Sequence, residues 1–245
     1  MQEIFQIIEH KKNIFSQLPL FKFMQDKSIS PEARISFAPC MAFFIMGFGD
    51  LNKYVLRDLN NNSPVQKIIN DHTNEDDNHW PWYIRDIENL NLDINWSFND
   101  SLLFFWSDKT KLTRQIVYQI AGYSLRSEPI VKLAIIEALE AMGNVFFFNS
   151  TKVISELNSL NHKQYIYFGD DHLKVETGHT MGTSGAENFL ESVELTPTQR
   201  EQALEAVDKI FQVFSEWTYE LLAYAQAQDP DQTNSKQSDL LTACS

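Results

Sequence analysis

The chain has 245 residues, with 33 acidic and 20 basic side chains and a formal net charge of −13 at pH 7. That balance excludes sequence-independent nucleic-acid binding, which needs clustered Lys and Arg to displace counterions. A 43 % hydrophobic content with 18 Phe excludes a disordered acidic chain and supports one ring-rich core.

Residues 2–18 place Ile4, Ile7, Ile8, Phe15 and Leu18 on one face and predict a helix. Ser30-Pro31-Glu32 sets a capping hydroxyl before a proline at the first helical position. The helix it opens is expected to run to about Leu59, kinked near Pro39. Asn60-Asn61-Asn62 is a turn, and Ser63-Pro64 opens a third helix through His79 to about Leu90, bent at Pro81. A short aromatic piece, Asp100 to Trp106, precedes a helix capped by Asp108 that runs through Leu125. Ser127, with Pro129 two residues on, opens an apolar helix through Phe148. Helical patterns follow over Thr151 to Leu160 and Tyr165 to about Gly178. Thr196-Pro197-Thr198-Gln199 combines a capping-box spacing with proline at the first position, ahead of a long amphipathic helix to about Ala227. From Asp229 the apolar period fades, so residues 229–245 are expected to form a flexible tail. With no alternating strand pattern, the expectation is an all-α domain over 1–228 with seven or so main helices.

The cysteines, Cys40 and Cys244, form neither a zinc spacing nor a disulfide framework, which fits a reducing, cytoplasmic setting. The start of the chain lacks a signal-peptide pattern. The apolar run 38–48 contains Pro39 and is too short to span a bilayer, so no membrane partner is expected.

Four of the six histidines fall in two acidic clusters. On one continuous helix, His72 and His79 lie about 20° apart, with Glu75 and Asp76 about 40° and 60° to either side. Asp76-x-x-His79 has the carboxylate–imidazole spacing used by dimetal helical bundles. In His172-x3-Glu176-x2-His179, the three side chains fall within about 60° of helical arc, and two imidazoles with a carboxylate suit Fe, Mn or Zn. Glu140, inside the apolar run AIIEALEAMGNVFFF, needs a cation, a proton or hydrogen bonds to compensate its burial. Glu137 competes for that role. Trp80, Trp82, Tyr83, Phe146 and Phe147 are candidate walls of an aromatic pocket.

A carboxylate and His on one helix, a Glu on the next and His-x3-Glu-x2-His on a third resemble the haem-oxygenase-like dimetal oxidases. The segment HTNEDDNHWPW is similar to their CADD-like subgroup, which includes nitrile synthases acting on tryptophan-type amino acids. The resemblance implies a haem-oxygenase-like helical bundle. It also implies two Fe(II) ions, O2 as co-substrate, and oxidation of a small amino-acid-type substrate through a peroxo-diiron intermediate. His72, Asp76, His79, Glu140, His172, Glu176 and His179 would be the ligands, with Glu140 bridging and Glu140 and Glu176 in catalytic positions. Many relatives carry Glu where this chain has His72, so His72, Glu75 or Asp76 completes the first-helix set. An external electron donor and a homodimer are compatible with this reading. The alternatives are a diiron decarboxylase or N-oxygenase, a haem protein using His10, and a cofactorless thiaminase-like enzyme using Cys40. Lys53, Arg57 and Arg85 are candidates to hold a substrate carboxylate. The Gly- and Thr-rich stretch 172–186 is a weak helix former, expected to gain order with metal.

Overall fold

Prolines and side-chain caps set the helix starts. The computed structural model describes residues 1–93, 95–174, the backbone of 175–177, residue 189 and residues 192–228. It is 77 % helical, with no strand among the described residues. The expected tail from Asp229 lies outside them, as does the stretch 178–186.

α1 (Gln2–Phe15) stops short of Leu18, because extended Leu18 precedes Pro19, which opens α2 (Pro19–Gln25). The Ser30 hydroxyl accepts from the Ala33 N–H and caps α3 (Pro31–Arg34). The expected helix to Leu59 is not one kinked rod. It breaks into α3, a 3-10 turn at Ala38–Met41, α4 (Ala42–Leu51) and a π turn at Asn52–Leu56. Pro39 sits in the 3-10 turn, where its missing N–H is tolerated. The helical stretch Pro31–Leu56 is long and apolar enough by composition to cross a membrane, and more than half of its apolar window is buried in the protein.

α5 (Pro64–Asp76) and α6 (Trp80–Asn89) replace the predicted bent helix over 63–90. Then come α7 (Phe98–Phe105), a 3-10 turn at Asp108–Thr110 and α8 (Lys111–Ser124). Ser107, rather than Asp108, provides the capping side chain there. The two helices expected within 127–160 are one, the 33-residue α9 (Pro129–Asn161), which ends at His162 in the left-handed conformation. α10 (Asp170–Thr177) begins later than expected, and α11 (Pro197–Ala227) carries the predicted capping box at Thr196 and Gln199.

α9 is the spine. At 1.5 Å per residue it is about 50 Å long, and its buried positions run from Ile130 to Leu157. A helix apolar on so many sides belongs inside a protein, and α9 packs against α1, α2, α3, α5, α10 and α11. Arg34 ties α3 to this spine by pairing with Glu156, and to α2 by donating to the Met24 carbonyl at 3.1 Å. This arrangement brings the middle of α9 against α5 and α10, the two helices that carry His72 and His172.

Candidate metal centre

The geometry starts at the end of α5. One helical turn separates His72 from Asp76, and His72 Nε2 lies 3.1 Å from Asp76 Oδ2. Glu140 on α9 brings Oε1 to 3.4 Å from the same nitrogen. These three residues each present one donor atom, all within 4.8 Å of one another. His72 and Asp76 are buried and Glu140 is largely so.

α5 stops here because Pro81 bars a continuous helix: its ring would collide with the Asp77 carbonyl four residues back, and it has no N–H to offer. Arg57 secures the break. Its guanidinium donates to the Thr73 carbonyl at 2.6 Å and to the Asp77 carboxylate at 2.7 Å. His79 therefore occupies the N-cap position of α6 and does not share a helix with His72. The angular alignment expected of His72 and His79 does not apply. They approach through Asp76, whose Oδ1 lies 4.0 Å from His79 Nδ1.

On the far side, His172 Nε2 lies 3.1 Å from His79 Nδ1. His172 Nδ1–H donates to the Tyr167 carbonyl at 2.8 Å. A carbonyl only accepts, so this bond fixes the tautomer and leaves the Nε2 lone pair turned to His79. The His79 ring stacks on Trp82 at 4.4 Å, and Phe147 lies 4.2 Å from the His172 ring. Two half-sites result: His72 with Glu140, and His79 with His172. Asp76 stands between them with one oxygen toward each.

The donor set fits a divalent transition metal. Donors bonded at about 2.0–2.2 Å to one ion, at angles of about 90–109°, stand roughly 2.8–3.6 Å apart. The 3.1 and 3.4 Å separations at His72 and the 3.1 Å between the two imidazoles fall in that interval. Without a cation, the two carboxylates act on His72 instead. Burial alone lowers its pKa, but the hydrogen bonds to Asp76 and Glu140 outweigh this and raise it to about 11. A metal would take the place of that proton.

The structure thus brings together His72, Asp76 and Glu140, with His79 and His172 beside them. Among the described residues, the carboxylates grouped with His72 are those of Asp76 and Glu140; Glu75 is exposed. The Glu176 side chain and all of His179 lie outside the described residues. Of the five candidate pocket rings, Trp80, Phe146 and Phe147 line a cavity of ≈ 100 Å3 whose polar end is Asp76, His79, Glu140 and His172. Trp82 backs His79 instead, and buried Tyr83 donates to the Ala38 carbonyl at 3.0 Å. Lys53 and Arg57 pair with Asp77, Arg85 is exposed, and none of the three lines the cavity. His10 is exposed on α1. Cys40 is absent from the described cavity lining, and burial pushes its thiol well above the ordinary range.

Two contributors escaped the sequence reading. Tyr167 acts through its carbonyl, which leaves no trace in a residue pattern. Asp86 on α6 is fully buried and accepts from the Ile166 and Phe168 N–H groups, both at 2.9 Å. It thereby holds the turn that presents the Tyr167 carbonyl. Its place on the buried face of an amphipathic helix is the one sequence signal that marks it. Comparison with protein-family models and with curated proteins finds no match to this chain.

Proposed function

We propose that the protein is an O2-dependent non-haem diiron oxidase acting on a small amino-acid-type substrate. The observation that carries this reading is the buried His72–Asp76–Glu140 cluster beside the His79–His172 pair, at the polar end of an aromatic cavity. Bound iron supplies the dioxygen chemistry. The chain's own residues do the rest. Asp76 and Glu140 bring negative charge that two cations neutralise, which makes room for substrate in an otherwise anionic pocket. The Tyr167 carbonyl holds His172 in the tautomer a metal requires. Phe146, Phe147 and Trp80 exclude water and orient the substrate body.

Anaerobic Fe(II) loading followed by metal counting tests the site, and stopped-flow absorbance on O2 exposure with a panel of amino acids tests the activity. The expected result is two ions per chain and a transient visible band triggered by one substrate. A chain that retains no iron, or an iron-loaded chain that consumes no O2 with any candidate, overturns the reading.

A further inference from the structure

Gly143 lies in the interior of α9, where glycine costs about 0.5–1 kcal/mol relative to alanine. Backbone geometry does not ask for it, since no described glycine has a positive φ. Close packing among the described residues does not ask for it either. Among them, a Cβ at 143 would meet Phe147 Cε2 at 3.8 Å, an ordinary contact, and nothing nearer. Gly49 on α4 is different: its Cβ would stand 3.0 Å from the Asp77 carbonyl oxygen, so there the approach of two helices explains the residue. What Gly143 borders is the cavity. A longer side chain at this position would occupy that space.

The walls say what the space is for. No Lys or Arg stands among the described lining residues, and residues 175–190 contain none. Among the described lining residues, the charged groups stand at one end, at Asp76 and Glu140, with the two imidazoles beside them. A volume of ≈ 100 Å3 is somewhat below the roughly 150 Å3 of an apolar cavity that takes benzene.

We propose that Gly143 keeps this cavity open for the uncharged apolar body of a ligand, a single ring or a short hydrocarbon, whose polar end faces Asp76, His79, Glu140 and His172. The inference rests on the oxidase reading for the chemistry at that end, and on the cavity itself for binding of the body. A carboxylate in the metal-free site would lie beside Asp76 and Glu140, with no lysine or arginine among the described lining residues to meet it.

The test is a 19F NMR titration of the metal-free chain with fluorobenzene and with 4-fluorobenzoate, in the wild type, Gly143→Ala and Gly143→Leu. The wild type is expected to bind fluorobenzene at least about tenfold more tightly than 4-fluorobenzoate. Gly143→Leu is expected to weaken fluorobenzene binding by at least about tenfold. Gly143→Ala, which adds one methyl and favours the helix, is expected to weaken it less and to unfold at a higher temperature. Equal fluorobenzene affinity in the wild type and the alanine variant, or equal affinity of the wild type for both probes, overturns the proposal even if the leucine variant fails to fold. Iron counting is read separately. A wild type that binds fluorobenzene but no iron defeats the oxidase reading alone, and one that binds iron but no fluorobenzene defeats this inference alone.

Discussion

His72 is the residue on which the candidate centre turns. Two carboxylates stand 3.1 and 3.4 Å from its Nε2 and raise its pKa in the metal-free chain. His72→Ala removes a donor from the His72–Glu140 half-site, whereas the His79–His172 pair persists. Iron affinity is expected to fall by at least about 10–100-fold, as equilibrium dialysis would show, with helical circular dichroism retained. A variant that holds iron as tightly as the wild type would remove His72 from the ligand set. Asp76, Glu140 and His172 were legible because carboxylates and imidazoles in apolar or patterned surroundings are conspicuous. That Asp76 is buried and Glu75 exposed was not, since neighbouring acids differ only in which way the helix turns them. The role of Tyr167 was hidden because any residue could supply that carbonyl.

At the scale of elements, the break between α5 and α6 and the turn before α10 shape the site. Asp86 is held by the Ile166 and Phe168 N–H groups; burial raises its pKa while those bonds oppose the shift. Asp86→Asn turns one acceptor into a donor facing an N–H, and is expected to lower stability by about 1–3 kcal/mol. Thermal unfolding measures that loss, and the His172 imidazole resonances should shift with it. Elsewhere, Arg34 beside Glu156 holds that carboxyl below its ordinary value of 4.5. A lowered carboxylate pKa means stability that is fully present above the unfolded value and is lost as pH falls through the folded one. The stability difference between wild type and Glu156→Gln should therefore be largest near neutral pH and shrink on acidification, in paired denaturant titrations. A constant difference across that range would contradict the assignment. Ser30, Ser63 and Thr196 marked helix starts correctly because a capping hydroxyl before proline is a local signal. The splitting of 31–59 and 63–90 was misjudged because a proline's effect depends on whether neighbours reward a bend or a break.

Across the whole molecule, α9 joins the elements that hold the candidate donors, so cations bound there would act as ligands of the folded state. A ligand present at 100 times its dissociation constant adds about 2.7 kcal/mol to unfolding free energy. Iron under argon should raise the thermal midpoint of the wild type and raise that of His72→Ala by a smaller amount, as differential scanning calorimetry would show. The all-α architecture was readable from helical periodicity and caps, but the fusion of two predicted helices into α9 was not, because a continuously buried helix lacks the polar stripe that usually marks its turns. The spacing of the donors also has a consequence for biosynthesis. His72 and His172 are separated by 100 residues, which a ribosome adding about 5–20 residues per second takes roughly 5–20 s to bridge. During that interval the nascent chain displays His72 and Asp76 without their partners from α9 and α10, an open pair that grips any cation only weakly. On the oxidase reading proposed above, selection of the metal would wait until synthesis has passed α10, and only a chain that has threaded its spine into place would compete for iron.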